Sequence, residues 1–188
     1  MNNDIIERAL ATLNVGGTLL YPTDTIWGIG CDAVNPSAIE RVYAIKERDH
    51  SKSMLILASV EMLSPEMPGE VCRLLLESER PTTVVLPARY VTPTLPQNLL
   101  AADGTVGVRV PRMDFCQTLL RLFGRPIVST SANFSGRPSP QCYADIEEAL
   151  KRRVDYSLPD DPSFHHPATG SSRILKVKPD GSLTVIRS

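Results

Sequence analysis

The most constraining stretch of the chain is Met54-Leu55-Ile56-Leu57-Ala58, five apolar residues in a row. A strand with one wet face alternates apolar and polar residues. An unbroken run this short predicts a strand covered on both faces, near the middle of a sheet. Directly before it stands Lys46-Glu47-Arg48-Asp49-His50-Ser51-Lys52-Ser53, where three cations crowd the end of a predicted helix. Charge fixed at the edge of a core points to an anion site. Cations at a helix end are also ordinary solvated partners of the helix dipole, so the cluster alone does not decide between the two.

The neighbouring segments build the sheet around that strand. Ile5, Ile6, Ala9, Leu10 and Leu13 recur at helical spacing after a capping Asn3, and Gly16-Gly17 ends the helix. Thr18 to Tyr21 reads as a strand stopped by Pro22. The following Thr23-Asp24-Thr25-Ile26-Trp27-Gly28-Ile29-Gly30 sets hydroxyls beside closely approaching backbone, as a turn or as the wall of a small-molecule pocket. Asn35-Pro36 opens a helix to about Lys46, and further helices are predicted over Glu70 to Ser78, Asp114 to Phe123 and Tyr143 to Lys151. Strands are predicted over Thr82 to Leu86, Thr105 to Val110, Pro126 to Ser129 and Asp155 to Leu158. Long loops fall between Pro87 and Gly104 and between Asp160 and Gly170. A closing hairpin pairs Arg173 to Val177 with Leu183 to Arg187 around Pro179-Asp180-Gly181. Strands alternating with helices give an α/β (α+β) fold, an open twisted mixed β-sheet with flanking helices.

Two further features bear on function. Arg109 sits among valines in a strand and needs a partner or a ligand there. Ser129-Thr130-Ser131-Ala132-Asn133-Phe134-Ser135-Gly136 offers hydroxyls, an amide and a permissive glycine at the end of another strand, and such runs are also common turns.

A length of 188 residues predicts a single domain over 1–188, large enough to bury a good core. Apolar residues at 42% and charged residues at 22% are ordinary for a globular protein and favour neither a disordered chain nor a membrane class. A net charge of −1 speaks against a strongly basic nucleic-acid coat but leaves room for a local basic cleft. No signal-peptide pattern and no spanning apolar run is visible, so the expectation is a cytoplasmic protein without membrane contact. Cys31, Cys72, Cys116 and Cys142 form no C-x-x-C pair, and His50, His165 and His166 lack spaced partners, so no metal site is expected. Neither G-x-G-x-x-G nor the Walker lysine motif occurs.

Tyr21-Pro22-Thr23-Asp24-Thr25-Ile26-Trp27-Gly28-Ile29-Gly30, Lys46-x-Arg48, Val108-Arg109-Val110-Pro111 and Ser131-Ala132-Asn133-Phe134-Ser135-Gly136-Arg137-Pro138-Ser139 resemble the successive motifs of the YrdC domain family. The likeness runs in order over almost the whole chain. That family contains the L-threonylcarbamoyladenylate synthases, and the length matches its short single-domain form. The resemblance implies an open sheet with a positively charged concave face. It also implies a reaction joining L-threonine, bicarbonate and ATP into threonylcarbamoyl-AMP with release of pyrophosphate, toward N6-threonylcarbamoyladenosine in tRNA.

The resemblance also implies roles. Lys46 and Arg48 would be catalytic, and Arg48, Lys52, Ser131, Asn133 and Arg187 would bind the nucleotide. Thr23, Thr25, Arg109, Ser129 and Ser172 would hold threonine and its carbamate. Mg²⁺ would travel mainly on the triphosphate, and the product would pass to a threonylcarbamoyl transferase complex. The chain departs from the family pattern at Asp49, at Ser53-Met54, at Glu79-Arg80-Pro81-Thr82-Thr83, which lacks the usual glycine, and at Ser172-Arg173-Ile174. The first two imply a looser loop after Arg48. Two other readings compete. In an RNA-binding module, Lys46, Arg48, Lys52, Arg109, Arg112, Arg137 and Arg173 would track a tRNA or double-stranded RNA backbone. In a carbamoyl-transfer relative, acylphosphatase and zinc-finger segments would accompany the domain.

Overall fold

A computed structural model describes residues 3–164, 170–178 and 180–188. His165, His166, Pro179 and the side chain of Asn3 lie outside the described residues. Five α-helices are described: α1 (Asn3–Asn14), α2 (Pro36–Lys46), α3 (Gly69–Glu77), α4 (Asp114–Phe123) and α5 (Glu148–Lys151). The strands are β1 (Thr18–Tyr21), β2 (Gly28–Cys31), β3 (Leu55–Leu57), β4 (Thr82–Pro87), β5 (Thr105–Arg109), β6 (Ile127–Ser131), β7 (Tyr156–Ser157), β8 (Arg173–Val177) and β9 (Leu183–Arg187). They form one sheet in the order β7-β1-β2-β6-β3-β5-β4-β8-β9, with β3 in the middle. The sheet is mixed: β3 runs parallel to β5 and antiparallel to β6.

Register explains how one sheet carries both a core and a site. Leu55 stands opposite Gly107 and Ser129, and Gly107 opposite Val85. With the alternating Thr105, Arg109 and Thr83 these residues share one face. Ile56, Val108, Val128 and Val84 share the other, and all four are fully buried. The apolar run is therefore not covered alike on both sides. Its back joins the aliphatic core, while Leu55 is half-buried at the floor of a cavity. Around this sheet α1 meets β1, β7 and α4, α2 meets β1 and β2, and α3 meets β4.

Three departures from the sequence reading have local causes. Strand β2 stands where the sequence offers a turn or a pocket wall, because two of its four residues are glycine. A Cβ at Gly30 would lie 2.2 Å from the Val128 carbonyl oxygen and 2.8 Å from the Tyr21 ring, so only glycine lets β1, β2 and β6 close. Strand β6 continues past Ser129 to Ser131, paired with Gly28 of β2, so the serine stretch begins as strand. The segment predicted as one helix from Tyr143 to Lys151 divides into a 3₁₀ turn, Tyr143–Asp145, and the short α5. Asp145 Oδ2 accepts the N–H groups of Gln141 and Cys142 at 2.9 and 3.1 Å, which stabilises the local turn against a continuous helix.

Candidate functional site

A cavity of about 320 Å³ opens on the polar face of the sheet. Thr23, Thr25, Arg48, Arg109, Ser129, Ser131, Ser172 and Arg187, eight of the residues singled out in the sequence, all line it.

One end is built from the turn after β1. Thr23 Oγ1 lies 2.9 Å from Thr25 Oγ1, donates to the Ile26 carbonyl at 2.8 Å and accepts the Thr25 N–H at 3.2 Å. Arg109 comes from β5 and is 3% exposed; its Nη1 donates to Thr25 Oγ1 at 2.6 Å and sits 3.3 Å from Asp24 Oδ1. The partner required by an arginine among valines is thus the adjacent residue of the same threonine turn. Arg109 Nε is buried and has no hydrogen-bond partner, which leaves a donor in reserve. At Gly107 a Cβ would come within 3.2 Å of Leu55 Cβ and 3.3 Å of Thr83 Cγ2, a tight fit that would press on both side chains.

The other end is built from the end of α2. Asn35 Oδ1 accepts the Ala38 N–H at 3.2 Å to start the helix, and Glu47 ends it in the left-handed region at φ 51°. That cap separates the two cations. Lys46, still helical and 1% exposed, lies behind the cavity wall, where Nζ donates to the carbonyls of Ser131 and Asn133. Arg48 lies beyond the cap and faces the cavity. Its Nε and Nη2 donate to the carbonyls of Lys52 and Ser53 at 2.8 and 2.9 Å, so the loop expected to be loose is tied back by the site's own arginine.

The Lys52 side chain is exposed and does not line the cavity. Asn133 also stands behind the lining. Its Nδ2 donates to the carbonyls of Phe134 and Arg137 at 3.1 and 2.6 Å, while Oδ1 is buried with no hydrogen-bond partner.

The third wall comes from the closing hairpin. Ser172 Oγ lies 2.8 Å from Thr83 Oγ1, and the Ser172 carbonyl accepts both Nε and Nη2 of Arg187 at 3.1 and 2.8 Å. Thr83 was missed in the sequence. Its signal was alternation along β4, where Thr83 and Val85 face the cavity and Val84 and Leu86 do not.

The cations are held against their own preference. Burial, and then Arg48, pushes the Lys46 ammonium down to about 7. Burial lowers Arg48 as well, and burial followed by the charge of Arg109 lowers Arg187. No acidic residue is among the described residues that line the cavity. Positive charge crowded in this way is relieved by an anion. Burial raises the Cys31 and Cys116 thiols well above their ordinary range, so neither supplies a thiolate. Among the described residues, no three His, Cys, Asp or Glu side chains are grouped as metal ligands. No helix among them is long and apolar enough to cross a membrane.

Fold and cavity together define an α/β protein whose cavity is lined by guanidinium groups and hydroxyls. The chain belongs to the Sua5/YciO/YrdC family, whose profile, described as telomere recombination, matches residues 11–188. It is 32% identical over 160 residues to the threonylcarbamoyl-AMP synthase of Xanthomonas euvesicatoria pv. vesicatoria, covering 80% of this chain and 82% of that one. The structure of P. abyssi Sua5 complexed with L-threonine superposes with a TM-score of 0.83 at 26% identity. That match covers 97% of this chain and 53% of the P. abyssi chain, so the present chain spans about half of it. E. coli YciO shares the fold at 23% identity and a TM-score of 0.79, covering 100% of this chain and 90% of its own.

Proposed function

We propose that the protein is an L-threonylcarbamoyladenylate synthase. The observation that carries this reading is the gathering of Arg48, Arg109 and Arg187 around one cavity whose described lining has no carboxylate. The threonine amine and bicarbonate give a carbamate and water. A carbamate oxygen then attacks the α-phosphorus of ATP, the bond to the bridging oxygen breaks, and pyrophosphate leaves. The carbamate is already a nucleophile, so the protein's task is to gather mutually repelling anions and stabilise charge on the phosphoryl oxygens.

In this reading Arg109, with Thr23, Thr25, Ser129 and Ser172, holds threonine and its carbamate. Arg48, Ser131 and Arg187 hold the nucleotide, and Lys52 steers it from outside. Lys46 and Asn133 act from behind the wall, through charge and through the shape of the Ser131 loop. The donor set fits a metal ion that arrives on its substrate: Asp24 is committed to Arg109, and Mg²⁺ bound to the triphosphate would neutralise part of its charge. The product, a mixed anhydride, suits transfer to tRNA by a threonylcarbamoyl transferase complex in the cytoplasm, and direct tRNA contact through exposed cations such as Lys52 and Arg137 would be secondary.

Pyrophosphate release from ATP, measured with bicarbonate and with or without L-threonine, tests the assignment. Release that needs both threonine and bicarbonate is expected, with L-serine weaker by a margin of one methyl group, about 1–3 kcal/mol. Release independent of the amino acid would overturn the assignment.

A further inference from the structure

The end of α3 lies between two walls of the cavity, and two arginines hold it from opposite sides. Arg112, just past β5, donates Nη2 to the Ser78 carbonyl and Nη1 to the Glu79 carbonyl at 3.5 Å. Its backbone N–H donates to Asp24 Oδ2 at 3.1 Å, the carboxylate that faces Arg109. Arg173 reaches the same turn from β8, with Nη2 3.5 Å from Ser78 Oγ and 3.3 Å from Thr82 Oγ1. Its N–H donates to the Pro81 carbonyl at 3.0 Å. Neighbouring Ser172 points the other way, into the cavity, where it meets Thr83 and Arg187.

A helix C-terminus draws donors to its free carbonyls; Ser78 Oγ donates to the Leu74 carbonyl at 2.6 Å, Arg112 binds the carbonyls of Ser78 and Glu79, and together these make the cap. Arg173 is surplus to it. The Nε of Arg173 is buried without a hydrogen-bond partner, an arrangement that works against the fold. Its contacts run instead to the hydroxyls of Ser78 and Thr82, which join α3 to β4 one residue before Thr83. Asp24, Arg112, Ser78 and Arg173 thus form a continuous connection from the threonine turn to the closing hairpin.

We propose that Arg112 and Arg173 are positioning residues that set the distance between the Asp24–Arg109 wall and the Ser172–Arg187 wall through the Ser78 turn. This rests on the synthase reading, in which the two walls carry Arg109 and Ser172 for threonine and Arg187 for the nucleotide around one reaction site. Neither arginine lines the cavity, so each acts through the spacing of the walls on how well the cavity binds both substrates.

The test uses the full chain as wild type, Arg173→Ala, Arg173→Lys, Arg112→Ala and the double alanine variant. Pyrophosphate release is measured against ATP and L-threonine, normalised to folded protein, and amide exchange is followed without substrate. In Arg173→Ala, KM for both substrates is expected to rise roughly 10-fold with kcat within about 2-fold. Arg173→Lys should recover part of the loss. The double variant should be little worse than the poorer single one, because both act on one turn. Amides of Thr82, Thr83 and Arg173 should exchange faster in Arg173→Ala.

Unchanged KM values with only a lower melting temperature would overturn the proposal and leave a helix cap. Wild type that releases no pyrophosphate, with exchange still responding at Thr83, would sink the synthase reading while the wall-setting connection stands. Activity in wild type with neither KM nor exchange altered in the variants would sink the connection alone.

Discussion

The two ends of the cavity handle positive charge in opposite ways. At the Thr23–Thr25 end, Arg109 is buried beside a carboxylate and a hydroxyl, Asp24 and Thr25, which fix its orientation before any ligand arrives. At the Lys46–Arg48 end, the cations donate, among the described residues, to backbone carbonyls, those of Ser131, Asn133, Lys52 and Ser53. A carbonyl holds a cation by its dipole and leaves the charge uncancelled. The first end is thereby suited to a compact zwitterion such as an amino acid, whose single carboxylate needs one oriented guanidinium. The second is suited to a polyanion, whose charges replace what the protein withholds. In the proposed reaction, preorganisation at one end and uncancelled charge at the other would divide the cavity between the two substrates.

Removing the unspent charge is the hardest blow to this contrast. Arg48→Ala or Lys46→Ala is expected to lower pyrophosphate release by about 100-fold or more, the scale of losing a positioned electrostatic stabiliser. Steady-state rates equal to wild type in both variants would erase the distinction between the ends.

A smaller and more selective effect is expected at the other end. Thr25→Val keeps the shape but leaves Arg109 Nη1 without its 2.6 Å acceptor. Threonine binding should weaken by roughly 10-fold and ATP binding by much less, the scale of one lost hydrogen bond to a charged group. Calorimetric titration with each substrate separately reads the difference, and equal weakening would move Thr25 out of the amino-acid end.

The smallest effect is a pH dependence confined to the polyanion end. Lys46 is held down to about 7 from an ordinary 10.5. Between those values the unfolded chain binds more protons than the folded one. The cost of burying the Lys46 charge is therefore complete below about pH 7 and fades as pH rises toward 10.5, so this residue makes the free protein more stable with rising pH in that window. ATP favours the protonated form and works in the other direction. The gain in melting temperature on adding Mg·ATP should be larger at pH 6.5 than at pH 8.5, and Lys46→Met should flatten the difference. The gain from L-threonine should not follow this trend.

The architecture was legible wherever local chemistry and burial agreed. Asn35-Pro36 started α2 at the expected residue, the apolar run became the central strand, and the closing hairpin formed over the predicted residues. The reading failed at β2, because Gly28 and Gly30 are chosen for the approach of neighbouring strands and not for strand propensity. It failed again at Tyr143 to Lys151, where a single side chain, Asp145, redirects the backbone. Arg173 and the stretch from Glu79 to Thr83 stood out separately as departures from the family pattern. In space they belong to one turn, with Arg173 beside Thr82.

By itself the sequence determined the fold class, the family and the identities of the charged and hydroxyl groups, because residue type, periodicity and motif order are properties of the chain. Which of those groups share a cavity was decided only by the tertiary structure. Lys46 and Arg48 are two residues apart, yet the left-handed cap at Glu47 sends one behind the wall and the other into the cavity. Arg109 and Thr25 are 84 positions apart and in contact. Sheet register brings such distant residues together, and register depends on the packing of every strand at once.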